Sequence, residues 1–542
     1  MTRWLAATAL IACGCAVSPV PDSPAIEPGN VAAQVRFLSH DLLEGRGVGG
    51  RGEGLTIEYL AAQLALAGAQ PAGDGGTYFQ KVPLVELKTQ PGSSLLVAGR
   101  ELAMRDEYVG TNERQTGREV FEAEIVYVGH GIAAPEFEWD DYKGHDVQGK
   151  VVVLFTNEPP SQDDSFFGGR ALTYYGRWTF KYEEAARRGA LGVLIVHTDE
   201  TAGYPWDVVR NSWSGGQMYV EAEPGEPKLA LAGWVTSDAA ERLFDASPGT
   251  AGKSLAELLD MANRPEFVPV PLGLRVAADI RSSIVPVETA NVLAKFEGSD
   301  AERRREAVLY TAHWDHLGVA ESAPGEDAIY NGAVDNATGC AALLEIARAY
   351  GSLAHKPSRS VLFAFVGAEE HGLLGSAYYA ANPAVPMGRT ALNLNYDGLF
   401  PFGETEDFSL PGHERTTVKG AVEDLAAEFG VVLTPDAHPE QGYYYRSDQF
   451  SLAKHGVPAF ALRTGIQHAG RPAGWGEERV NAYRSRSYHQ PSDEFSDEWD
   501  FSGVARLAQF GFELGRRVAD QAGLPTWNDG DEFLKAREDS WR

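Results

Sequence analysis

Along the 542 residues, the apolar positions keep one rhythm to about residue 118, another to about 277 and a third beyond. Between Val31 and Gly68 they recur at helical spacing, with "LSHDLLEGRGVGGRGEG" as a glycine-rich break between two amphipathic stretches. "GTYFQKVPLVEL" then predicts a strand. From Glu119 the chain turns to short β-branched runs, "AEIVYVGHGI", "GKVVVLFTN" and "LGVLIVHTD", separated by turns and one helix, "FKYEEAARRGA". This texture predicts a compact β-rich unit ending near Ala277, with "SSIVPVETANVLAKFEG" leading out of it. Downstream, the strands "AVLYTAHWD", "RSVLFAFVGAEE", "TALNLNYDG" and "VPAFALRTG" alternate with the helices "GCAALLEIARAYGSL", "GLLGSAYYAAN" and "TTVKGAVEDLAAEFG". Continuous apolar strands between helices predict an α/β domain with a mostly parallel, mixed central sheet covered by helices.

Composition adds limits. The length calls for two or more domains. Net charge is −29 with no basic run, which argues against nucleic acid or anionic headgroups as partners. The first residues read as a leader: Arg3, an apolar core from Trp4 to Ala12, and "LIAC", a bacterial lipoprotein-type cleavage signal that would make Cys13 the lipid-bearing first mature residue. The alternative is an ordinary cleaved signal peptide with incidental cysteines. Either reading predicts an exported protein; a lipid-bearing Cys13 would in addition tether it to a membrane facing the periplasm, its only expected membrane contact. With three cysteines in all, and Cys340 alone in the body, no disulfide framework is expected.

The chemistry gathers where strands stop, which is where ligands bind in sheets of this kind. "YTAHWDHLG" ends in His313 and Asp315, "FVGAEEHG" in Glu369 and Glu370, and "NLNYDG" in Asp397. "SYHQPSDEF" offers Tyr488 and His489, and Asp335 stands just ahead of a helix. Singly, each has a plain explanation: a surface histidine, a solvated acidic pair, a helix cap, a turn aspartate. Together they would crowd like charges on one rim, which cations relieve. Imidazole plus carboxylate without cysteine suits Zn²⁺. Asp335 has two oxygens with which to bridge two ions. Consecutive Glu369 and Glu370 point different ways, so one can bind metal while the other moves a proton. Asp315 is placed to accept the remaining N–H of His313.

The order H-x-D, D-N, E-E, D-G and Y-H resembles the co-catalytic dizinc aminopeptidases of clan MH, with the fold called zinc-aminopeptidase or phosphorylase/hydrolase-like. "LSHDLLEGRGVGGRG", "YFQKVPL" and "PDAHPEQGYYYRSDQFSLAKHGVPAF" are similar to a bacterial secreted subgroup. "DVQGKVVVLF" and "AARRGALGVLIVHT" resemble the protease-associated domain that many members carry as an insertion. The resemblance implies two Zn²⁺ per chain, one held by His313 and Asp397, the other by Glu370 and His489, with Asp335 bridging. It further implies Glu369 as general base, Asp315 orienting His313, Tyr488 at an oxyanion and Arg446 at the substrate. Close relatives carry His after "RSD", whereas Gln449 stands here.

The expected organisation is a signal peptide and stalk over 1–27, the first part of the peptidase domain over 28–118, and a protease-associated insert over 119–277. The catalytic domain follows over 278–525 and a tail over 526–542. The implied activity is removal of N-terminal residues from peptides with a free N-terminus, through metal-activated water. Alternatives on the same scaffold are a glutamate-carboxypeptidase-like exopeptidase, a glutaminyl cyclase and a non-catalytic binding protein.

Overall fold

The computed structural model describes residues 24–163, 165–202, 205–320, 327–468 and 470–542, so the leader and Cys13 lie outside the described residues. The central sheet is mixed. Four parallel strands, Ser360–Val366, Ala307–His313, Thr390–Tyr396 and Ala459–Thr464, lie side by side in that order. Antiparallel strands flank them, Val270–Phe296 on one side and Asp407–Ser409 on the other. Both faces are covered, as alternation within single strands shows. In Ala307–His313, Val308, Tyr310 and Ala312 enter one core, and Ala307 and Leu309 the opposite one. Such a strand has no solvent face, which is why it reads as an unbroken apolar run. The helices Thr338–Ser352 and Ser502–Asp520 supply much of the first core through Leu343, Ile346, Leu507 and Phe510.

The chain leaves Ala307–His313 for Ser360–Val366 on one side and then crosses to Thr390–Tyr396 on the other. That reversal opens a crevice at the carboxyl end of the strand that finishes in His313.

A second sheet is built from Arg118–Tyr127, Val151–Phe155, Gly192–Val196 and Leu231–Val235 in parallel register. It too is covered twice, Val151, Val153 and Phe155 facing one core and Val152 and Leu154 another. Strands Ser94–Val97 and Tyr108–Thr111 join this sheet although they precede residue 119. Leu95, Val97 and Tyr108 complete its core, so the unit draws in chain ahead of the expected boundary. Strand Val270–Phe296 runs through both sheets and links them. From within the expected insert, Gln217–Val220 returns to pair with Phe79–Thr89. There Met218 and Val220 pack against a small core of Val82, Leu84 and Ala368, the last next to Glu369. Residues past 525 are folded onto the body: Trp527 and Phe533 are buried, and the buried Arg537 donates to the carbonyls of Met387 and Pro525. No described helix is long and apolar enough to cross a membrane.

One buried group gives this second unit an expected pH response. His130 is buried with Nε2 2.8 Å from Asn263 Oδ1, and burial together with nearby Lys181 pushes its pKa down to about 4. An unfolded histidine titrates near 6.5, so between roughly pH 6.5 and 4 only the unfolded chain takes up this proton. Stability carried by neutral His130 is therefore present above that window and lost as the pH falls through it. His130→Gln is expected to flatten the fall in Tm between pH 7 and 4, measured against the parent protein.

Candidate metal centre

His313 is the last residue of its strand and Asp397 the first after Thr390–Tyr396, so parallel pairing alone brings them to one edge. Asp335 comes from the segment before the helix Thr338–Ser352, and its carboxylate does not cap that helix. Asn336 does the capping, its Oδ1 accepting from the Gly339 N–H at 3.0 Å, which leaves both oxygens of Asp335 free to face the crevice.

Those two oxygens meet two different histidines. His313 Nε2 lies 3.2 Å from Asp335 Oδ1 and 3.2 Å from Asp397 Oδ1. His489 Nε2 lies 3.2 Å from Asp335 Oδ2 and 3.2 Å from Glu370 Oε2. Each triad is one imidazole nitrogen and two carboxylate oxygens, and Asp335 belongs to both. Donors about 2.0–2.1 Å from a tetrahedral Zn²⁺ stand about 3.3 Å apart, so these separations and this donor set fit one such ion in each triad. All five residues proposed from the sequence as ligands converge here.

Each outer carboxylate is held by its remaining oxygen. Ser447 Oγ donates to Asp397 Oδ2 at 2.6 Å. His316 Nδ1 lies 2.6 Å from Glu370 Oε1, too short for two donors on one tetrahedral ion and right for a hydrogen bond. The Asp335 loop is fixed through its backbone, with the Val334 and Asp335 N–H groups donating to the Asp493 carboxylate at 3.1 and 3.2 Å. Asp493 follows His489 by four residues, so one loop supplies a donor to the site and the clamp for its central aspartate. Behind them the buried Arg46 guanidinium donates to the carbonyls of Leu38, Trp314, Asn331 and Gly332 at 2.5–2.8 Å. It ties together the two loops that carry His313 and Asp335. His316, Ser447, Asp493 and Arg46 went unassigned in the sequence. Only His316, three residues after His313, carried a local hint.

Asp315 differs from its expected part. The Asp315 carboxylate lies 3.8 Å from His313 Nδ1, and the nearer oxygen is the Asp315 backbone carbonyl at 3.2 Å. The carboxylate instead accepts from the Glu369 N–H at 3.1 Å and the Glu370 N–H at 3.4 Å, fixing the turn that aims those two side chains. Glu369 places a carboxylate oxygen within 4.8 Å of donor atoms of His313 and Glu370. Tyr488 stacks its ring on His489 with centroids 3.9 Å apart and stays 48% exposed. Arg446 is exposed, over the Tyr443 ring. Gln449 is buried, its Nε2 donating to Tyr444 O at 2.6 Å and its Oε1 accepting from Asn395 at 2.8 Å. A cavity of about 550 Å³ lined by Leu172, Leu410, His413, Leu433 and Tyr443 shares none of the clustered donors.

The electrostatics reflect crowding. Burial drives the Glu369 carboxyl well above the usual range despite His313, and neighbouring Glu370, Asp397 and Asp448 add to the rise. Burial and Asp335 also push Glu370 up, but His316 and His489 outweigh them and hold it at about 2. Against burial, Asp335 and Glu370 raise His489 to about 10. Imidazoles that hold protons this tightly face a deficit of positive charge, which divalent cations would meet.

The fold and these two triads define an α/β protein with a carboxylate-bridged pair of candidate metal sites at the carboxyl edge of its sheet. The comparisons narrow that class. Residues 291–510 match peptidase family M28. It is 28% identical to leupeptin-inactivating enzyme 1 of Streptomyces exfoliatus over 211 residues, 38% of this chain and 43% of that protein. It is 29% identical to the probable lipoprotein aminopeptidase LpqL of Mycobacterium tuberculosis over 237 residues, 41% and 43% of the two chains. A probable leucine aminopeptidase 2 of Aspergillus oryzae aligns at 28% identity over 494 residues, 89% of this chain and 81% of that one. The first two alignments span less than half the length of those relatives. Among solved structures, the aminopeptidase from Aneurinibacillus sp. strain AM-1 superposes with a TM-score of 0.47 at 19% identity, covering 92% of this chain and 95% of that one.

Proposed function

We propose that the chain is an exported dizinc metallo-exopeptidase that removes N-terminal residues from peptides. The observation that carries this reading is Asp335, whose two oxygens each lie 3.2 Å from a different histidine. His313 and Asp397 would hold one Zn²⁺, Glu370 and His489 the other, with Asp335 shared. Bound there, the ions would polarise the scissile carbonyl and acidify water. Glu369 is the general base: it takes a proton from the attacking water and returns it to the departing amine nitrogen. Asp315 fixes the Glu369–Glu370 backbone for this. The surplus of carboxylates favours a substrate α-ammonium beside the centre, which selects the first peptide bond over internal ones. Tyr488, whose ring stacks on His489, would meet the carbonyl oxygen as charge develops. The second sheet unit, 119–277 with its borrowed strands, is read as a protease-associated insert that shapes access. The relative named as a probable lipoprotein aminopeptidase agrees with this reading.

The test is an assay of the purified protein on aminoacyl-anilides and on N-blocked peptides, with metal analysis. Cleavage of the free-amine substrates at two zincs per chain is expected. Cleavage of N-blocked peptides from their carboxyl ends would overturn the aminopeptidase reading in favour of the carboxypeptidase one. For export with a lipid at Cys13, Cys13→Ser is expected to move the protein from the membrane fraction to the soluble fraction and to abolish palmitate labelling. A membrane fraction unchanged by that substitution would remove the anchor.

A further inference from the structure

In a chain with 76 acidic and 47 basic residues, an exposed arginine readily finds a carboxylate. Two that adjoin, in sequence, residues supporting the metal centre do not. Arg446 and Arg484 are exposed, and neither has an acidic partner within 4.0 Å among the described residues. An aromatic face holds both instead: their guanidinium carbons lie 5.3 and 5.7 Å from the centroid of the Tyr443 ring. A guanidinium over a ring is positioned without spending its N–H donors, which remain free for a planar, two-oxygen acceptor.

The two arginines come from different parts of the chain, yet each neighbours a residue that supports the site. Arg446 precedes Ser447, whose hydroxyl donates to Asp397. Arg484 follows Tyr483, whose hydroxyl donates to Asp493 Oδ2 at 3.0 Å, the carboxylate that clamps the Asp335 loop. Arg484 lies on the helix Trp475–Arg486, part of the long lead-in to His489. A peptide of two or three extended residues spans about 7–10 Å, the scale of one or two residues plus a long side chain.

We propose that Arg446 and Arg484, both held over Tyr443, form a subsite for the C-terminal carboxylate of a di- or tripeptide whose amino end lies at the metal centre. The inference rests on the aminopeptidase reading and names its substrate class as short peptides with a free carboxyl end. Two guanidinium groups of this kind give bidentate recognition that an amide terminus cannot accept.

The test compares Leu-Leu, its C-terminal amide and Leu-Glu-amide on the zinc-loaded full chain, with the Arg446→Gln and Arg484→Gln variants. The parent is expected to favour Leu-Leu over its amide by at least tenfold in kcat/KM, mostly through KM. Each variant is expected to lower that ratio at least fivefold. A parent without the preference, or variants that move the ratio less, would overturn the subsite while leaving the aminopeptidase reading intact. Preference for Leu-Glu-amide over Leu-Leu would overturn it too, by assigning the arginines to a side-chain carboxylate. Calorimetric binding of Leu-Leu and its amide to Glu369→Gln reads the subsite without turnover. Carboxylate-dependent binding there, with no cleavage of either peptide by the parent, would sink the aminopeptidase reading and keep the subsite.

Discussion

Glu369→Gln is expected to keep both metals and to lose turnover by about 10²–10⁴-fold, the usual weight of a positioned general base. The substitution preserves the shape of the side chain and the backbone N–H that donates to Asp315 Oδ1 at 3.1 Å, so the turn carrying Glu370 stays in place. What it removes is the only capacity the mechanism asks of this residue, to take up a proton and give it back. The five donors of the two triads belong to other residues, so metal content and KM should change little while kcat falls. Metal analysis and steady-state kinetics on one preparation read both halves. A variant within tenfold of the parent would withdraw the base assignment. A variant that lost metal would make Glu369 a ligand, which its place within 4.8 Å of donor atoms of His313 and Glu370 allows geometrically.

How much of this was open to reading differs from residue to residue. Strands buried on both faces announce themselves as apolar runs, and the residues that end them must sit on one rim; hence His313, Glu369, Glu370 and Asp397 could be grouped without coordinates. Asp335 was ambiguous because an aspartate ahead of a helix is an ordinary cap. The ambiguity is removed by Asn336, whose amide oxygen takes the capping bond. The supports were hidden for a different reason. Ser447, Asp493 and Arg46 act through hydrogen bonds that reach residues 50 or more positions away, and nothing in their own neighbourhoods distinguishes them from surface polar residues. Arg46 reads as part of a glycine-rich loop, and only burial shows that its donors all end on backbone carbonyls. Asp315 has the expected neighbour, its carboxylate 3.8 Å from His313 Nδ1, and closer partners that the sequence did not disclose. Two residues along an extended chain put it on the side of His313, but the turn after Ser360–Val366 presents N–H groups that its carboxylate accepts more closely. The fold boundary near residue 119 blurred for the same kind of reason, since sheet membership of Ser94–Val97 and Tyr108–Thr111 depends on partners far along the chain.

The shared aspartate carries the second large expectation. Asp335→Asn keeps the volume of the side chain and one carbonyl oxygen but replaces the other oxygen with an amide that cannot bind a cation. One half of the bridge is lost outright, and the negative charge that both ions share goes with it. Zinc affinity at both positions should therefore fall, by at least about 100-fold, the upper end of what loss of a supporting partner alone produces. Asp397→Asn should behave differently, because Asp397 faces only His313 at 3.2 Å while its other oxygen accepts from Ser447. It should weaken one ion and leave the other near its parental affinity. Competitive chelator titration of the parent and the two variants separates these cases, and circular dichroism confirms that each is folded. Because zinc binds only the folded chain, stripping it should also lower the Tm of the parent far more than that of Asp335→Asn. If Asp335→Asn retained one zinc at parental affinity, the aspartate would serve a single ion, and the two triads would be separate sites that happen to be neighbours.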